Sequence, residues 1–135
     1  MSYGVTAALQ VAVYGALTGD AALTTLVGSD IYDAMPGGAL PGLYVLLGEE
    51  SAKDASDQSG DGAWHDLSVA VVTDQAGFQA AKNAAAAVSD VLHGAALSLP
   101  RGRLVGLWFR KARASRQGDG TRRIDMTFRA RVEDN

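Results

Sequence analysis

The chain has 135 residues, 47% of them hydrophobic and 20% charged, with a formal net charge of −3. That length and composition suit one packed domain spanning residues 1–135 and exclude an intrinsically disordered chain. Cysteine is absent, which excludes disulfides, thiolate catalysis and cysteine-ligated zinc or iron–sulfur centres.

Residues 5–18 read as a helix, with Val5, Leu9, Ala12 and Ala16 on one stripe and Val13 and Leu17 beside it. Thr18-Gly19-Asp20 combines a stop with a new N-cap, and residues 21–27 form a second, short helix ended by Gly28. Ile31 and Tyr32 start a short strand, and Pro36-Gly37-Gly38 and Pro41-Gly42 mark a loop. The apolar run 43–47 reads as a strand, either buried on both faces or short and central. Residues 48–62 are polar and acidic: a long mobile loop, or a strand extension protruding from the core. Residues 64–73 alternate as a strand, with Leu67, Val69 and Val71 on one face and Asp66 and Ser68 on the other.

Residues 74–92 carry the strongest helical pattern, with Asp74 as N-cap and Phe78, Ala81, Ala85, Val88 and Leu92 as the buried stripe. The alanines 84–87 keep the helix slim enough to lie close on a sheet, and Gly94 supplies the stop. Residues 104–116 and 121–132 read as two strands joined by a tight turn at Asp119-Gly120. In the second, Ile124, Met126, Phe128, Ala130 and Val132 alternate with polar residues, which predicts one buried and one wet face. The order α–α–β–β–α–β–β predicts an α+β, two-layer domain. Its sheet is mainly antiparallel, with helices packed on one face and a protruding C-terminal β-hairpin. No stretch of about 18 apolar residues is present, so no membrane span is expected. The N-terminus is apolar without Lys or Arg and does not read as a signal peptide.

The net charge hides two opposed segments. Residues 1–100 hold eleven acids and two bases, a balance of −9, and residues 101–135 hold ten bases and four acids, a balance of +6. Arg110, Lys111, Arg113, Arg116, Arg122 and Arg123 surround the predicted C-terminal turn and place charge on both faces of the strands, so the tip is expected to project beyond the core. Such a tip suits two partners: phosphate, or an acidic protein surface. The acidic candidates are Glu49, Glu50, Asp54, Asp57 and Asp61.

The chemical motifs are sparse. His65 and Asp66 are adjacent strand residues and point to opposite faces, so they do not form an acid–base pair. His93 ends a helix, where a cation suits the dipole, and both His65 and His93 read as structural or surface residues. Asp54, Asp57 and Asp61 do not follow EF-hand spacing and read as a solvated acidic loop rather than an ion site. Gly118-Asp119-Gly120 beside Arg122 and Arg123 reads as a plain hairpin turn rather than a phosphate nest. Trp108 and Phe109 precede the basic run and are expected to pack in the core. The chain has no nucleophile elbow, HExxH motif or P-loop, so no catalytic residues, metal or cofactor are assigned.

Four segments together carry a family resemblance. They are Tyr3-Gly4-Val5-Thr6-Ala7-Ala8-Leu9-Gln10 running to Tyr14-Gly15-Ala16-Leu17; Gly42-Leu43-Tyr44-Val45-Leu46-Leu47-Gly48-Glu49; the span from His65-Asp66-Leu67-Ser68-Val69 to the Ala-rich helix; and Gly102-Arg103-Leu104-Val105-Gly106-Leu107-Trp108-Phe109 through the strand 123–132. Over nearly the whole chain this resembles the small tail-completion proteins of long-tailed phages, most nearly the tail terminators of phage-like gene transfer agents. The resemblance implies a non-enzymatic ring, usually a hexamer, made in the host cytoplasm and placed in the virion at the head-proximal end of the tail. It implies as partners copies of the same chain, the tail tube protein, the stopper of the head–tail connector, and double-stranded DNA passing through a channel without sequence-specific binding. The alternative function is a nucleic-acid-binding module that uses the basic hairpin.

Overall fold

A computed structural model describes residues 3–56 and 61–134. Helices α1 (Thr6–Thr18) and α2 (Ala21–Val27) precede strands β1 (Ile31–Tyr32), β2 (Leu43–Asp54) and β3 (Asp61–Thr73). Helix α3 (Gln79–Leu92) and strands β4 (Arg103–Arg116) and β5 (Arg122–Asp134) follow. The strands form one sheet in the order β1-β2-β3-β5-β4, antiparallel throughout except that β1 runs parallel to β2. The expected α+β architecture is thus the one observed. Among the described residues no helix is long and apolar enough to cross a membrane.

The core lies between the helices and one face of the sheet. Ala8, Leu9, Val13 and Leu17 of α1 fall at helical spacing and are buried together with Leu23 and Val27 of α2. Asp20 caps α2 by accepting from the Leu23 amide at 2.9 Å, as its position predicts. Helix α3 buries Ala81, Ala84, Ala85, Ala87, Val88 and Leu92. On the sheet side stand Val69, Val71, Leu107, Ile124, Met126 and the fully buried Phe128.

Helix α3 starts later than the pattern predicts. Gly77 has φ +86, a left-handed conformation that cannot lie inside a right-handed helix, so the helix begins at Gln79 and Asp74 caps nothing. Residues 48–54 and 61–63 take the strand-extension alternative rather than the loop, lengthening β2 and β3 well past the apolar run. A bulge between Leu47 and Glu50 then reverses the phase of β2, so Glu50, opposite Leu67, turns to the helix side.

The hairpin of β4 and β5 does not stand free. Strand β5 stays paired with β3 as far as Arg122 opposite Thr73, so the parts that project are the turn 117–120 and the outer edge of β4. Two bulges, between Leu104 and Gly106 and between Phe109 and Lys111, shift the phase of β4 twice. Arg110 is the extra residue of the second. Lys111 and Arg113 lie on the sheet face away from the helices, opposite Thr127 and Asp125, while Ala112, Ala114 and Arg116 lie on the helix side.

Candidate assembly surfaces

The register of the last two strands sorts the ten C-terminal cations into two groups. At the base of the hairpin they are paired within the chain: Arg101 with Asp134 at 2.8 Å, Arg103 with Glu133 at 2.7 Å, and Arg129 with Asp66 at 3.0 Å. Arg131 lies over the Trp64 ring at 5.6 Å and donates to the Ala55 carbonyl at 2.9 Å. Of the six predicted tip cations, Arg123 is held by Asp125 at 2.7 Å. Arg122 donates to the Gln75 carbonyl at 3.1 Å and lies 5.6 Å over the Phe78 ring. Arg110, Lys111, Arg113 and Arg116 are exposed and form no ion pair among the described residues. The tip thus resolves into a four-cation edge on β4.

The predicted acidic residues divide as well. Glu49 is exposed. Glu50 is turned inward by the bulge, where it accepts from the Thr6 hydroxyl at 2.6 Å and lies 2.7 Å from His65 Nδ1. A carboxylate can only accept, so His65 carries a proton on Nδ1. Burial pushes the Glu50 carboxyl up, but the bonds from His65 and Thr6 and the charge interaction with His65 outweigh it and hold the group below its ordinary value. Asp54 is exposed and accepts from the Ser56 hydroxyl at 2.7 Å and the Ser56 amide at 3.1 Å; the hydroxyl bond is the main reason its carboxyl sits below the usual range. Asp57 and the side chain of Asp61 lie outside the described residues. No cluster of three or more potential metal ligands occurs among the described residues.

The two charged regions sit on different strands, β4 and β2, which are three apart in the strand order. Arg122 is level with Thr73 of β3 and Asp54 with Ala63. About ten strand residues separate those levels, roughly 33 Å at the usual rise. Only the Arg116 end of the cationic edge, opposite Arg122, is therefore that far from Asp54 along the strands; Lys111, opposite Thr127 and so level with Ser68, is about five residues, roughly 17 Å, from the Asp54 level and is level with the bulge that holds Glu49.

His93 has a structural role, in keeping with its reading: its Nδ1 accepts from the Phe109 amide at 3.0 Å and the ring seals the outer edge of β4. Trp108 is 37% exposed on the outer sheet face, folded back over Gly106 and tilted against Trp64 with centroids 6.1 Å apart. Phe109, on the other face, meets the core edge-on at Phe128 but is itself 38% exposed. Both residues fall short of burial because β4 is an edge strand with bulges on either side of them. The sequence motifs do not point to the buried His65–Glu50–Thr6 cluster. The phase of β3 is the signal for it, since His65 shares the parity of Leu67, Val69 and Val71. The turn itself is the plain hairpin expected: Asp119 accepts from the Thr121 amide and hydroxyl, and Gly120 takes φ +90.

The described residues thus form a one-sided sheet backed by three helices, with an exposed cationic edge strand. The chain belongs to the family described as Tail completion protein gp17, whose profile matches residues 11–133. It is also similar, at 59% identity, to a chain in the solved "Virion of native gene transfer agent (GTA) particle". That match covers 98% of this chain and 99% of the other with a TM-score of 0.93. No curated protein matches it. The resemblance read from the four segments is thus the family found. Membership makes the chain a structural tail protein of a phage-like particle, in a family not known for enzymes.

Proposed function

We propose that the chain is a tail terminator. Copies of it join head to tail into a closed ring, a hexamer as its family resemblance implies, at the head-proximal end of the tail. The ring caps the tube formed by the tail tube protein, meets the stopper of the head–tail connector, and leaves a channel through which double-stranded DNA passes. The observation that carries this reading is the four-cation edge Arg110, Lys111, Arg113 and Arg116, which has no carboxylate partner among the described residues and lies on the edge strand β4, three strands away from Glu49 and Asp54 on β2. Surfaces that differ on two sides of one subunit meet between copies in a heterologous contact, and such contacts close into rings. The acceptor side also includes Asp57 and Asp61. Glu50, already bound to Thr6 and His65, contributes there through the shape of the bulge rather than through free charge.

The test is charge reversal at Lys111 and Arg113 together. The Lys111→Glu/Arg113→Glu chain should fold normally and fail to join tails to heads in a complementation assay. Normal particle yield would refute the reading. The cationic edge also suits free nucleic acid. With four phosphate contacts, duplex affinity would fall with salt at a log–log slope of about −3.6. A terminator that only surrounds DNA shows no such affinity at physiological salt.

A further inference from the structure

An open groove of about 330 Å³ runs between α3 and the hairpin. Ala86 and Lys82 stand on its α3 wall, Phe109, Ala112 and Ala114 on its β4 wall, and Met126 in its floor. The short alanine side chains hold both walls back, and the lining is apolar apart from Lys82 and Ser89. Toward the turn, the same face continues to Arg116 and Arg122, which lie opposite each other. The result is an apolar trough with a cationic rim.

The other edge of the sheet carries the complement. There Val11 of α1, 61% exposed, stands beside a shallow open hollow of about 460 Å³ that it lines with Gln10, Tyr14, Gly15 and, just beyond β1, Asp33. Tyr14 is fixed to that edge by the bond from its hydroxyl to the Ile31 carbonyl at 3.1 Å. Strands β1 and β4 are the two ends of the strand order, so this α1 face and the groove cannot meet inside one molecule.

We infer that the groove of each subunit receives the Val11–Tyr14 face of α1 from the next copy, with Lys82 set against Asp33. This rests on the ring reading above and supplies what that reading lacks. Exposed charge pairs contribute little each, whereas interfaces are held by a desolvated apolar centre inside a polar rim. The trough and Val11 form that centre. Lys82, Arg116 and Arg122 on one side and Asp33 on the other form a rim of matched sign, which sets register.

The chain has no cysteine of its own, so introduced thiols report one contact only. Particles assembled from the Val11→Cys/Ala86→Cys chain and treated with a short bis-maleimide should give a ladder of covalent multimers, and either single variant should give none. Particles that assemble without a ladder would overturn the groove assignment. Ring-shaped density in the same particles would leave the ring reading standing, and its absence would remove both. If the double variant does not enter particles, the charge swap decides. Lys82→Glu and Asp33→Lys should each lower incorporation at least about fivefold, the equivalent of about 1 kcal/mol, and the two together should restore it. Absence of rescue would overturn the assignment.

Discussion

Replacing Glu50 by alanine tests how the N-terminus of α1 is tied to the sheet. The substitution removes the acceptor shared by the Thr6 hydroxyl and His65 Nδ1, at 2.6 and 2.7 Å. Hydrogen bonds to a charged group contribute about 1.5–3 kcal/mol each. The two here share one partner and are not additive, and the Glu50 side chain is 16% exposed, so water can take over the Thr6 bond. His65 is 0% exposed, and its Nε2 has no partner among the described residues, so alanine would orphan both ring nitrogens. The net loss should be about 3 kcal/mol, near the cost of leaving a buried polar group unsatisfied. For a domain of this size that lowers Tm by roughly 10 °C. Thermal unfolding at pH 7, with Glu50→Gln as the milder control, reads it directly.

The pH dependence has a definite sign. The Glu50 carboxyl titrates below its ordinary value of 4.5 in the folded chain, so its contribution is complete above about pH 4.5 and is lost as pH falls through the lower folded value. The stability gap between the native chain and Glu50→Gln should be flat from pH 7 to 5 and close in stronger acid. A loss under about 1 kcal/mol at pH 7, or a gap that widens in acid, would refute the account of this cluster.

Phe128→Ala, at the fully buried centre of β5, should cost about 3–5 kcal/mol in urea unfolding; a loss under 1 kcal/mol would mean that the core is centred elsewhere. His93→Ala should change global stability by less than about 1 kcal/mol. It should still speed hydrogen exchange at the Phe109 amide severalfold, because that amide loses its acceptor at the sheet edge; unchanged exchange would show that His93 does not seal β4.

Much of the fold was legible because local rules and the global fold agree. Asp20 caps α2, and the apolar positions of β5 alternate without interruption from Ile124 to Val132. The departures all come from backbone features that leave no pattern in composition. The Gly77 conformation delays α3, and the bulges at Leu47/Glu50 and Phe109/Lys111 reverse the side-chain phase in mid-strand. The candidate surface was legible at the level of sign alone. That the C-terminus is cationic can be counted; that Arg101, Arg103, Arg123 and Arg129 are paired while Arg110, Lys111, Arg113 and Arg116 are not depends on register, which brings Asp66, from a strand 63 positions away, under Arg129.

A density map of assembled particles, with this chain traced in place, bears most directly on the central claim. The account predicts that residues 110–116 of each copy lie within ion-pair distance of carboxylates on a neighbouring chain. A map in which that strand edge faces open solvent, touching no other subunit, would contradict it.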